Sequence, residues 1–447
     1  MTDTIFAMAT PAGHSAIAVC RLSGPASYAV ANRLSGKELQ HRLVQPSVIH
    51  DEEGRPLDEV MLLYLKAPAS PTGEDMLEIH MHGSLAVTQA IISYLGRQPE
   101  CRHAEAGEFT KRAFANGKMD LTEIEALADL IESQTETQRQ LALTQLKGAL
   151  RKTATAWRND IIQLSARLES LIDFADEDLP DHVIDDLTQT RHTLIAALKQ
   201  AIADSARGEI LRSGLKVALI GPVNAGKSTA LNALAGRPAA IVSDEAGTTR
   251  DIVEVRLDLQ GLPVILQDTA GIRDRAGHVE AMGIERAKQA ATDADMLIFI
   301  LDGTARDWQE VEKQVRAEIG APATTPHLLF LNKKDHADFN QQNRDDVMAV
   351  SWHEASDVAT LEALLTDQGA LYNHGGKNPL IARERHLSLI QKALSSLESS
   401  ASLSLEIAPE LVAEELRQAA DALGRMMGHI DVEDILDDIF SSFCIGK

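Results

Sequence analysis

The run Gly221-Pro222-Val223-Asn224-Ala225-Gly226-Lys227-Ser228 constrains this chain more than any other feature. It follows the apolar, β-branched stretch LKVALI and precedes the helical spacing of Ser228 to Ala235, so the local path is expected to be strand, tight loop, helix. The glycines let backbone N–H groups wrap an anion, and the helix start adds partial positive charge. Lys227 can neutralise β and γ phosphate oxygens, and the Ser228 hydroxyl can reach Mg²⁺. Three further apolar runs end in polar loops: VILQDTAG, MLIFILDG and HLLFLNKKD. Strands alternating with helical segments predict a parallel α/β sheet whose ligands sit beyond the carboxyl ends of the strands.

Two of those loops carry chemistry. Asp268-Thr269-Ala270-Gly271 puts a carboxylate where it can hold magnesium through water, and a glycine N–H where it can meet a γ-phosphate. Asn332-Lys333-Lys334-Asp335 stands where a base-reading loop belongs. The Asp335 carboxylate can accept from guanine N1–H and the 2-amino group, whereas adenine would leave that charge unpaired. Guanine is therefore expected over adenine. Between the phosphate loop and DTAG, Gly247-Thr248-Thr249-Arg250-Asp251 offers Thr249 as a second hydroxyl for Mg²⁺. Residue 272 is isoleucine, so the glutamine that orients water in Ras-type enzymes has no counterpart after Gly271.

The texture changes along the chain. Residues 1–117 read as α+β, with β-type runs at Ile17 to Arg21, Met61 to Leu65 and Met76 to His82 and helical spacing at Leu85 to Leu95. Residues 118–212 read as helices, broken at Gly148 and Pro180, and residues 213–376 as the α/β unit, ending near Gly375 and Gly376. Residues 377–447 turn helical again, with one apolar stripe from Val412, Leu416, Ala419, Leu423 and Met426 and another from Val432, Ile435, Leu436, Ile439 and Phe440. An α/β domain flanked by two helical stretches is most simply an insertion, with the helical parts packing as one domain. At 447 residues about three domains are expected.

Charge limits the class of partner. With 43 Lys and Arg against 66 Asp and Glu, the net charge of −23 would repel a polyanion over most of the surface, which excludes a generic nucleic-acid coat. Cys20, Cys101 and Cys444 are odd in number and far apart, which suggests neither a disulfide framework nor a CxxC metal site and points to a reducing compartment. His80 and His82 share a strand face without a third ligand. No basic and apolar leader and no run of 18 apolar residues is found, so a cytoplasmic location off the membrane is expected.

GPVNAGKS, AGTTRD, DTAG and NKKD, set within helical sequence, preceded by GEFTKRAFANGKMDL and closed by Cys444-Ile445-Gly446-Lys447, resemble the tRNA-modification GTPases of the MnmE (TrmE) family over essentially the whole chain. The resemblance implies a multidomain fold: an α+β N-terminal folate-binding and dimerisation domain, an all-α helical domain, and an inserted Ras-like α/β P-loop GTPase domain. It implies GTP contacts from Asn224, Ala225, Gly226, Lys227, Ser228 and Thr229, from Ser243, Asp244, Glu245, Ala246, Gly247, Thr248 and Thr249, from Asp268, Thr269, Ala270 and Gly271, and from Asn332, Lys333 and Asp335. Mg²⁺ would lie at Ser228 and Thr249. K⁺ would lie at Asn224, Ser243, the Glu245 main-chain carbonyl and Thr248, where a monovalent cation can stabilise charge as an arginine finger does elsewhere.

By the same resemblance Glu280 is the catalytic glutamate, polarising the attacking water through a bridging water. Arg21, Glu78, Lys118 and Lys447 fall where a 5-formyl- or methylene-tetrahydrofolate binds, and Cys444 is a candidate reactive thiol. Family members form homodimers whose G domains pair across the potassium site. They act with the partner MnmG (GidA), which carries FAD, to place a carboxymethylaminomethyl group on carbon 5 of the wobble uridine of certain tRNAs, the tRNA being held mainly through that partner. The alternative is a GTP-switched RNA-binding or ribosome-assembly factor without modification chemistry. It would normally bring a basic module, and the acidic run Asp173 to Asp178 argues against one.

Overall fold

The structure, a computed structural model, describes residues 3–173, 181–241, 253–268, 287–320, 324–340, 344–373, 379–404, 408–428 and 446. Its contacts divide the chain into two compact units, one of residues 1–128, 151–163 and 417–447 and the other of residues 129–150 and 164–416.

The first unit is built on a six-stranded sheet. Its strands are β1 (Thr4–Met8), β2 (Ser15–Ser23), β3 (Val44–His50), β4 (Pro56–Leu65), β5 (Met76–Gly83) and β6 (Cys101–His103), in the order β3-β4-β5-β2-β1-β6. Every pairing is antiparallel except β1 with β6. Period-two alternation sends Leu77, Ile79 and Met81 of β5 and Ala18, Cys20 and Leu22 of β2 into one core with Val30 and Leu34 of the helix Ser27–Ser35 and Ile91 and Leu95 of the helix Leu85–Gly96. Arg21, Glu78, His80 and His82 therefore project from the opposite face.

One buried guanidinium ties this unit together. Arg112, on the helix Glu108–Ala115, is fully buried. It donates to the Asp3 carbonyl at 3.0 Å, to Asp3 Oδ1 at 3.1 Å, to Glu74 Oε2 at 3.0 Å and to Glu108 Oε1 at 2.9 Å. Further along the chain, Gly446 is buried so closely against the Met8 carbonyl that an added Cβ would overlap it.

The second unit holds a second six-stranded sheet: β7 (Leu215–Ile220), β8 (Val253–Leu259), β9 (Leu262–Asp268), β10 (Met296–Asp302), β11 (His327–Asn332) and β12 (Val347–Ala349), in the order β12-β11-β10-β7-β9-β8. Five strands are parallel, as expected. β8 departs from that expectation and runs antiparallel to β9. The reason is local: Gln260 and Gly261 join Leu259 to Leu262 with φ of 54° and 90°, the two-residue turn with positive φ at both positions that favours a hairpin. The four strands read from sequence are present, and all of Val217, Leu219, Leu266, Ile298, Ile300 and Phe330 are buried in one cluster.

Helices complete this unit. The helix Glu136–Leu146 starts at a capping box in which Thr135 and Gln138 satisfy each other's backbone N–H groups. The helix Glu384–Ser402, from the second helical stretch, lies on Asp181–Ala203 from the first, with Lys199 and Glu398 at 2.7 Å and Arg191 donating to the Ser400 carbonyl at 2.6 Å. The helix Pro409–Met427 is divided between the two units after Leu416, and all five residues of the Val412 to Met426 stripe are buried on it. The stripe from Val432 to Phe440 and the glycines Gly375 and Gly376 lie outside the described residues.

Candidate nucleotide site

Because β9, β7, β10 and β11 are consecutive parallel strands, their carboxyl ends face the same edge, and three sequence motifs begin there. The helix Lys227–Ala235 begins directly after Gly226, which supplies no side-chain cap, so its first N–H groups remain for an anion. Gly226 has φ 104°, and an added Cβ would overlap the Asn332 amide. Only glycine meets both demands. Asn224 also takes a positive φ, 65°. Lys227 is buried, and its Nζ donates to the carbonyls of Gly221 at 2.6 Å and Pro222 at 2.8 Å. Burial draws its pKa below the ordinary lysine value, with Asp268 pulling the other way.

Asp268 ends β9 and is buried, and the Ser228 hydroxyl donates to its Oδ2 at 2.6 Å. This pair of hard oxygen donors suits Mg²⁺, which Ser228 and Asp268 would hold and which would offset phosphate charge. Thr229 is exposed on the same first turn.

The base loop leaves β11. Asn332 Nδ2 donates to the Ala225 carbonyl at 2.9 Å, which fixes this loop against the phosphate loop. Lys333 takes φ 71° and places Nζ 2.5 Å from Asp302 Oδ2 at the end of β10. Asp335 is exposed, and its pKa lies below the usual carboxylate value, first because the Ser351 hydroxyl bonds to it and then through its own backbone N–H, with His353 and His336 adding favourable charge. It thus stands ready as an ionised acceptor.

By the family resemblance the segment after β12 stands where a guanine-bracing loop belongs, although Val350-Ser351-Trp352-His353-Glu354-Ala355 matches its SA(K/R)TG pattern poorly. The Val350 N–H reaches the Leu331 carbonyl at 2.8 Å, and the Lys334 N–H reaches the Val350 carbonyl at 3.1 Å, so Ser351 and Trp352 lie alongside the base loop. Trp352 is buried edge-on to Phe330 with ring centres 5.5 Å apart.

In the N-terminal sheet, Arg21 and Glu78 face each other across β2 and β5. Arg21 Nη2 lies 2.8 Å from Glu78 Oε1, and His80 Nε2 lies 3.1 Å from Oε2. Burial pushes the Glu78 carboxyl up, but these partners outweigh it and its pKa falls below the ordinary value. His82 pairs with Asp58 at 2.7 Å, and among the described residues no group of three or more metal-ligating side chains occurs. Lys118 is exposed and lies against Gly73. Ser243, Asp244, Glu245, Ala246, Gly247, Thr248, Thr249, Thr269, Ala270, Gly271, Glu280, Cys444 and Lys447 lie outside the described residues.

Residues 121–444 match the family described as the MnmE helical domain. The chain belongs to the MnmE family. Residues 4–118 match the N-terminus of the GTP-binding protein TrmE. Relatives named tRNA modification GTPase MnmE match throughout. That of Bradyrhizobium sp. (strain ORS 278) is 42% identical, covering 100% of this chain and 99% of its own. Those of Methylorubrum populi and Caulobacter vibrioides are each 44% identical, covering 100% of this chain and 98% and 100% of theirs. In this MnmE chain the segment GEFTKR proves structural, since Glu108 and Arg112 within it form the buried hub described above. Among the described residues no helix is long and apolar enough to cross a membrane.

Proposed function

We propose that this chain is a GTP hydrolase of tRNA modification. The observation that carries the reading is the bond from Asn332 to the Ala225 carbonyl, because it brings base-reading Asp335 and phosphate-binding Lys227 into one site. In that site Asp335 accepts from the guanine edge, Lys227 and the first turn of its helix take the phosphates, and Ser228 and Asp268 hold Mg²⁺. Asn224, Ser243, Glu245 and Thr248 are assigned to K⁺, Thr249 to Mg²⁺, and Glu280 to positioning the attacking water, on family membership and motif position.

The domain scheme is a folate-binding and dimerisation domain at 1–117, a helical domain at 118–212 and 377–447, and an inserted G domain at 213–376. Arg21, Glu78, Lys118 and Lys447 are assigned to a tetrahydrofolate carrying the one-carbon unit, an assignment supported by the half-buried Arg21–Glu78 pair, whose carboxylate can accept from a pterin's N–H groups. Cys444 is assigned as the candidate reactive thiol on the same family grounds. The chain acts as a homodimer with MnmG (GidA), which holds FAD and most of the tRNA, to add a carboxymethylaminomethyl group to carbon 5 of the wobble uridine. K⁺-dependent pairing of G domains drives the conformational change. Mass spectrometry of wobble uridines in tRNA from cells lacking the protein tests this: loss of the modification is expected, and its persistence would favour a GTP-timed RNA-binding factor.

A further inference from the structure

The middle lysine of the base loop does not point idly to solvent. Lys334 Nζ lies 2.6 Å from Asp357 Oδ2, 2.8 Å from Asp357 Oδ1 and 2.9 Å from Glu354 Oε2. Asp357 sits in the first turn of the helix Ala355–Asn373, its residue only 9% exposed. The same Oδ2 accepts the Ser351 N–H at 2.7 Å. Ser351 is fully buried, and the carbonyl of Val350 just before it accepts the Lys334 N–H at 3.1 Å. Asp335 is covalently next to Lys334. These bonds therefore close a ring, from the Lys334 side chain to Asp357 to Ser351 and back through the Val350 carbonyl to the Lys334 backbone, beside Asp335.

We propose that Lys334 and Asp357 are positioning residues for guanine recognition, clamping the Ser351 segment against the base loop so that the Asp335 carboxylate stays aimed at the base. The inference rests on the guanine-reading role of Asp335 given above and adds what holds that carboxylate in place. Asp335 is itself exposed, so no packing fixes its rotamer, and an exposed carboxylate aimed at two donors needs an external restraint. The ring supplies it: a charge-assisted bond anchors Asp357 to the base loop, and a backbone N–H transmits that anchor to Ser351. Neither Lys334 nor Asp357 needs to touch nucleotide for this.

Inosine triphosphate discriminates the idea, because inosine lacks the 2-amino group that Asp335 accepts. The full-length protein should bind guanosine triphosphate more tightly than inosine triphosphate. Lys334→Met and the near-isosteric Asp357→Asn should each lower that ratio about three- to tenfold, the double variant no further than either alone. KM for guanosine triphosphate should rise while kcat at saturation stays, and Lys334→Arg should restore the ratio. Variants that lose thermal stability but keep the wild-type ratio would reduce the ring to a structural brace and overturn the proposal. A wild-type protein that binds adenosine triphosphate as well as guanosine triphosphate would remove the guanine reading, and the ring's role with it.

Discussion

Asn332 and Ala225 are 107 residues apart in sequence, yet the Asn332 side-chain amide donates to the Ala225 carbonyl at 2.9 Å inside the protein. The bond sets the distance between the loop that reads the base and the loop that holds the phosphates. Asn332→Ala removes the donor and leaves a buried carbonyl unpaired, which costs about 1–3 kcal/mol. Weaker binding of a fluorescent guanosine diphosphate, by roughly tenfold or more, is expected together with a lower Tm. Unchanged affinity would show that the two loops keep their register without it.

Gly226→Ala tests the same junction from the other side. The added methyl meets the Asn332 amide at a backbone angle that L-residues seldom adopt, a strain of about 1–3 kcal/mol. Nucleotide binding should be lost in equilibrium titration while circular dichroism keeps the wild-type helix signal. Retained binding would mean that the loop can move aside.

Base preference can be inverted. Asp335→Asn exchanges one acceptor for a donor, which mismatches guanine at its 2-amino group and matches the 2-carbonyl of xanthine. Hydrolysis of xanthosine triphosphate should exceed that of guanosine triphosphate by at least about tenfold in the variant. A preference still for guanosine triphosphate would place base reading elsewhere.

The Arg112 hub makes the protein acid-sensitive. Burial pushes the Glu108 carboxyl up, but Arg102, the Glu105 N–H and Arg112 outweigh it, leaving its pKa below the ordinary glutamate value. A carboxyl depressed in the folded state contributes stability that is complete above the unfolded pKa of about 4.3 and is lost as pH falls through the folded value. Glu108→Gln should cost about 1–3 kcal/mol near neutral pH, and its Tm should fall less steeply than wild type below about pH 4. Parallel acid limbs would show that Glu108 is not the titrating group.

The phosphate loop, DTAG and NKKD were legible because each is contiguous and ends a strand whose apolar run is unmistakable. Their meeting follows from strands β7, β9 and β11 being parallel. What the sequence concealed depends on long-range contacts. Arg112 reads as one more basic residue in GEFTKR, yet it is fully buried because Asp3, Glu74 and Glu108 converge on it. β8 alternates charged and apolar residues like any exposed strand, and only its positive-φ turn makes it antiparallel. Ser351 and Trp352 match the family's guanine-bracing pattern poorly, and their place beside Asp335 is set by backbone bonds from Lys334 and to Leu331.

The N-terminal sheet also dictates when this part of the chain can finish folding. Strand β1 pairs with β6 across almost 100 residues, Thr4 lying opposite Cys101, and Asp3 finds Arg112 later still. Such distant closures slow folding, because chain entropy is lost before the contacts that offset it form. During synthesis β1 can pair with β2 as soon as Ser23 has emerged, but its other edge must wait for β6, and Asp3 must wait for residue 112, to leave the ribosome. Substitutions at Arg112 should therefore lower the yield of folded protein in the cell more than its final stability would indicate.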